Sequence, residues 1–111
     1  MKPVQWVGSS LDDHRDLPEP IKDRAGFQLQ LVQEGMNPDH YRPMPDVGKG
    51  VVEIKIKEGN NEFRVFYVAT LGDRVYVLHS FRKKTQKTSD KDIKLGKKRY
   101  AEAVQLAADA N

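Results

Sequence analysis

The sequence predicts an α+β fold, and three observations carry the prediction. A short strand and two helical segments open the chain, three strand segments then stand in close order between residues 51 and 81, and a helical segment closes it. A chain of 111 residues fits one domain, residues 1–111, built on one sheet and a few helices.

The elements follow in order. Lys2 to Val7 alternates loosely enough for a first strand, placed at a sheet edge because Pro3 has no ladder donor. Ser9 and Ser10 before Leu11, Asp12 and Asp13 have the pattern of a helix N-cap with acids in the first turn, for a short helix ending near Asp16. Pro18 and Pro20 then suit a second helix start, where N–H groups are spare. Ile21, Ala25, Leu29 and Val32 recur at helical spacing, and Phe27 and Leu31 are expected to widen that stripe toward the core. Gly26 inside this helix suggests close approach to another backbone, and Gly35 is expected to end it as the C′ residue. Met36 to Gly50 holds three prolines and two further glycines, so a long ordered loop carrying Tyr41 and Arg42 is expected.

From Val52 the chain alternates, with Val52, Ile54 and Ile56 on one face and Glu53, Lys55 and Lys57 on the other. Glu58 to Asn61 reads as a turn, Glu62 to Thr70 as a strand, and Gly72-Asp73 as a tight two-residue hairpin turn leading to a strand from Val75 to Phe81. Thr88, Ser89 and Asp90 then cap a last helix, whose expected inner face is Ile93, the stem of Lys97, Tyr100, Val104 and Ala108. If Ile54 and Ile56 lie beside Phe63 and Val65, then Lys55 shares a face with Arg64, and the two-residue turn brings His79 and Phe81 onto it. The implied constellation is Glu53, Lys55, Arg64 and His79, with Lys83 or Lys84 just past the strand.

Composition narrows the chemistry. With no cysteine, disulfides, thiolate metal sites and Cys nucleophiles are excluded. His14, His40 and His79 are scattered singly, at no metal-ligand spacing, and no phosphate-binding glycine loop or nucleophile elbow occurs; no metal and no cofactor are expected. No signal segment opens the chain and no apolar run approaches the roughly 20 residues of a membrane span, so a cytoplasmic protein without membrane contact is expected. The net charge of +3 is uneven: residues 82 to 99 hold nine Lys or Arg against Asp90 and Asp92. Such a patch fits a nucleic-acid or acidic-protein partner, or a plain solvated helix face.

Cations alone can support RNA strand cleavage, because RNA supplies its own nucleophile, the 2′-OH. The site needs in-line positioning and neutralisation of the developing phosphorane charge. Arg64 with Lys83 or Lys84 suits that charge, Lys55 is a candidate general base, opposed by Glu53, and His79 an alternative proton carrier. Each also has a structural reading: Arg64 paired with Glu53 across the sheet, His79 packed in the core. Composition and spacing by themselves leave both open.

The residues also carry a resemblance. Ala25-Gly26-Phe27-Gln28-Leu29, Val32-Gln33-Glu34-Gly35, Arg42-Pro43-Met44, Val47-Gly48-Lys49-Gly50-Val51, Glu53-Ile54, Phe63-Arg64-Val65 and, most specifically, the block from Val75 to Thr88 closely resemble the phage-related HigB-type toxins of the RelE superfamily. The resemblance implies two N-terminal helices packed on an antiparallel sheet of about four strands, with a C-terminal helix. It implies a toxin of a type II toxin–antitoxin pair, a metal-free mRNA endonuclease acting in the ribosome and silenced by a helix-turn-helix antitoxin. Arg64 then corresponds to a scissile-phosphate arginine, Lys84 to a second phosphate-binding cation, and Lys55 to one of a basic pair whose partner position is Glu53 here. Arg82, Lys83 and Lys87 are the expected contacts to mRNA or ribosomal RNA. A ParE-like toxin that acts by binding a protein target, and a stand-alone RNA-binding module, are the alternatives.

Overall fold

In the computed structural model, which describes residues 1–110, the chain forms strands β1 (Val4–Trp6), β2 (Tyr41–Pro43), β3 (Val51–Glu58), β4 (Asn61–Val68) and β5 (Val75–Lys83). Its helices are α1 (Ser10–Arg15), α2 (Glu19–Gln33) and α3 (Asp90–Ala110). The class is α+β, as predicted. The sheet is five-stranded and mixed, in the order β1-β5-β4-β3-β2, with β1 parallel to β5 and the other pairings antiparallel. It therefore differs from the expected four antiparallel strands at both edges.

The extra strand is β2, inside the proline-rich segment read as a loop. The bonds that flank it fall at His40, whose carbonyl accepts from Lys55 N, and at Met44, whose N–H donates to Val51 O, both 2.8 Å. Pro43 sits between these positions with its nitrogen facing away from β3, so its missing donor costs the sheet nothing.

The sheet is covered on both faces, which explains why β4 and β5 are buried along most of their length. On one side Leu17, Ile21, Ala25, Leu29 and Val32 pack on Ile54, Ile56, Phe63, Val65, Val75 and Val77. On the other side Ala103, Ala107, Met44 and Val47 pack on Phe66, Tyr76, Leu78 and Phe81. The predicted α2 stripe is the buried one, but Phe27 lies outside it, 57% exposed. Gly26 is equally free: a Cβ there would meet nothing within 4 Å, so the close approach expected at Gly26 does not occur. Gly35, with φ of 85°, ends α2; its N–H bonds Val32 O and that of Met36 bonds Leu31 O, the paired bonds of a Schellman cap.

Helix α3 keeps part of its expected face, with Ile93 and Tyr100 packed against the core, but its most buried residues are others. Gly96, Arg99, Ala103 and Ala107 are buried, while Val104 is 41% exposed. Small residues let the helix lie close to the sheet: a Cβ on Gly96 would stand 3.0 Å from Phe66 Cδ2 and from Val47 Cγ1. A stripe drawn through large apolar residues misses such a face. Among the described residues no helix is long and apolar enough to cross a membrane.

The β4–β5 connection also departs from prediction. The strands end at Val68 and Val75, so the loop is longer than the expected Gly72-Asp73 turn. Near the loop Tyr67 faces Val77, but beyond it Phe66 faces His79 and Arg64 faces Phe81. Leu78 is skipped: a β-bulge shifts the register by one. The bulge restores the side-chain alternation that a two-residue turn would have given, so the shared face of Arg64, His79 and Phe81 arises from a different cause.

Candidate nucleic-acid interface

The α3-side face of β2–β5 carries the charged constellation. Lys55 is paired directly with Arg64, Arg42 with Glu53, and Glu62 with Lys83. Because side chains alternate, Arg42, Glu53, Lys55, Glu62, Arg64 and Lys83 all project to that face, four cations against two carboxylates.

Glu53 is its centre. It is fully buried, and its Oε1 accepts from Arg42 Nε at 2.8 Å and lies 3.4 Å from Arg64 Nε. Its Oε2 accepts from Thr88 Oγ1 at 3.0 Å. A carboxylate without access to water needs such partners on every side. Arg64 is itself 5% exposed at the side chain; its Nη2 donates to Glu62 Oε1 at 2.8 Å and its Nη1 to Phe63 O at 3.2 Å. The Arg64 hydrogen bond and charge hold the Glu62 carboxyl below its ordinary pKa, with Lys83 and Lys57 adding to the effect against a smaller desolvation cost.

The predicted constellation thus comes together in part. Glu53, Lys55 and Arg64 adjoin. Strand β5 runs on to Lys83, and the register gives Lys83, not Lys84, the Arg64 face; the Lys83 ammonium donates to Gln86 O at 2.7 Å. Lys84 follows the strand and, with Lys83, Lys91 and Thr85, lines a cleft of about 280 Å³. Arg82 faces the α2 side, opposite Phe63, with its guanidinium on Asn61. Lys87 lies across the loop from this cleft, in a groove with Arg42 and Lys97.

Of the two readings of His79, proton carrier and packed core residue, its surroundings fit the second. Its Nδ1 lies 3.0 Å from Asp13 Oδ2 and its Nε2 2.8 Å from Asp92 Oδ1, and the ring stacks on Phe81 with centroids 4.6 Å apart. Both nitrogens are committed, and the ring ties α1 and α3 to β5. Arg99, counted in the basic patch from sequence, is also buried: it bonds Asp13, Ser9 Oγ and Leu78 O. The open patch is accordingly smaller than the sequence count.

Sequence reasoning missed Arg42, Glu62 and Thr88 as partners of this cluster. Arg42 was hidden by the reading of its segment as a loop. Glu62 was legible in principle, since it stands two residues before Arg64 on the same strand face. Thr88 was read only as a helix cap, a role that Ser89 fills by accepting from Asp92 N at 3.2 Å. Among the described residues no group of three or more His, Asp or Glu side chains is arranged to hold a metal ion.

Comparison with curated proteins returns no match. Residues 12–101 match the family described as "Phage derived protein Gp49-like (DUF891)". The matched span contains α1 from Asp12 on, α2, strands β2 to β5 and the first half of α3, and so every residue of the charged face. The chain belongs to the Gp49-like family of phage-derived proteins.

Proposed function

We propose that this protein is the toxin of a type II toxin–antitoxin pair and cleaves mRNA in the ribosome without a metal. Two things support the reading: the Gp49-like family is toxin-like, and one sheet face joins Lys55, Arg64 and Glu53 beside a basic loop. The carrying observation is the cross-strand Lys55–Arg64 pair, with Arg64 against the buried Glu53 carboxylate. In the proposed reaction the 2′-oxygen of one nucleotide attacks its own 3′-phosphorus, the bond to the next 5′-oxygen breaks, and a 2′,3′-cyclic phosphate and a 5′-hydroxyl result. Lys55 takes the 2′-proton, a second group protonates the leaving oxygen, and Arg64, with Lys83 or Lys84, balances the equatorial charge. Glu62 must release Arg64 Nη2 for this, and an incoming phosphate is the natural competitor for it. A helix-turn-helix antitoxin is the proposed partner, and the cytoplasm the proposed site of action.

One observation favours a second reading. Arg64 is almost fully enclosed and its Nη atoms have internal acceptors, as expected of a structural residue in a toxin that acts by binding alone. Expression with and without the neighbouring gene separates the two. Growth arrest relieved by the neighbour, with new mRNA 5′ ends, supports the nuclease; arrest without new ends supports binding alone.

A further inference from the structure

We propose that the groove on the far side of the Thr88 loop is a second phosphate subsite for single-stranded RNA, with Arg42 as its principal contact. This deepens, and rests on, the RNA reading above. The groove, about 390 Å³, is lined by Arg42, Lys87 and Lys97 together with Thr88, Asp46 and Asp90, three cations against two carboxylates. Its distinguishing feature is how Arg42 is held. One edge of the guanidinium is fixed from below, Nε to the buried Glu53 Oε1 at 2.8 Å and Nη2 to Thr88 Oγ1 at 3.4 Å. The side chain is nevertheless 43% exposed. Arg64 lies against the same Glu53 oxygen, with one N–H of each Nη on Glu62 and Phe63 O, but is enclosed. Of the two guanidiniums, Arg42 is the one whose remaining N–H groups reach solvent and so a ligand, with its side chain 43% exposed against 5% for Arg64.

A planar fork whose orientation is set by a buried carboxylate suits a phosphodiester, which accepts from two parallel N–H groups. Lys87 and Lys97 add charge without demanding geometry. Both guanidiniums lie against one Glu53 oxygen, so a strand held at Arg42 runs past Thr88 toward the Arg64 face. Arg42 therefore positions the RNA rather than taking part in bond breaking.

The test is binding of a short mixed-sequence RNA, made uncleavable by 2′-O-methylation, to the full chain, read by fluorescence anisotropy across a salt series. Arg42→Gln is expected to weaken binding on the order of tenfold at about 50 mM salt and to flatten the log–log salt slope by about 0.7, the value of one lost single-strand phosphate contact. The double variant Lys87→Gln/Lys97→Gln, whose ammonium groups have no hydrogen bond or ion pair among the described residues, is expected to flatten it further. Lys22→Gln, on α2 across the sheet, is expected to leave both unchanged. If Arg42→Gln and the double variant bind with the wild-type slope while wild type binds RNA, the subsite is refuted and the RNA reading stands. No RNA binding by wild type refutes both, and tighter binding of a poly-glutamate peptide than of RNA assigns the groove to an acidic protein and overturns the proposal.

Discussion

The Thr88 hydroxyl donates to the buried Glu53 carboxylate at 3.0 Å, which ties the basic loop between β5 and α3 to the floor of the sheet. The loop's cations are thereby held beside Arg42 and Arg64 instead of moving freely. Thr88→Val keeps the shape and removes the donor, leaving one carboxylate oxygen short of a partner. A loss of about 1–3 kcal/mol is expected, read as a lower urea midpoint with unchanged slope; an unchanged midpoint would mean that water replaces the hydroxyl.

Gly26 and Gly96 make a paired prediction. Gly26→Ala adds a methyl into open space on α2 and is expected to stabilise the protein by up to about 1 kcal/mol. Gly96→Ala pushes a methyl against Phe66 and Val47 and is expected to cost about 1–3 kcal/mol. Thermal denaturation of both checks the sign, and equal shifts would refute the close approach of α3.

His14 gives a pH dependence. It is buried with Nδ1 3.0 Å from Ser80 Oγ, and burial, aided by Lys22, lowers its pKa from the ordinary 6.5. Below that value the unfolded chain takes up a proton that the folded chain resists, so its contribution is present above pH 6.5 and is lost as pH falls. Stability measured against His14→Asn is therefore expected to improve from pH 5 to pH 7; the opposite slope would contradict the burial argument.

Glu62 occupies the Arg64 fork. Glu62→Gln weakens that contact, so tighter binding of the uncleavable RNA is expected, by a few-fold, with little change in fold because Glu62 is at the surface. Weaker binding would mean that Glu62 orients Arg64 instead of competing for it.

The contrast between what was and was not legible has physical causes. The β3–β4 register was readable because β3 alternates strictly and Gly59-Asn60 supplies a two-residue turn, with Gly59 at φ 58°. The bulge at Leu78 was invisible, since Leu78 and His79 give no local signal of a skipped residue. Strand β2 was hidden because Pro43 reads as a breaker unless its nitrogen is known to face away from β3. The small-residue part of the α3 face was hidden because Gly96, Ala103 and Ala107 bury little apolar area each and only the sheet decides their contact. Within the site, Lys55 and Arg64 followed from alternation, whereas Thr88 to Glu53 and His79 to Asp13 and Asp92 join distant segments.

The central claim is that the Lys55–Arg64 face cleaves RNA. It is tested most directly by mapping mRNA 5′ ends in cells expressing the wild-type chain or Arg64→Lys, each shown to be folded by circular dichroism. Lysine keeps the charge over Glu53 but loses the fork. New 5′ ends inside reading frames for wild type, and their absence for Arg64→Lys, are expected; growth arrest with no new ends, or equal cleavage by both chains, would contradict the account.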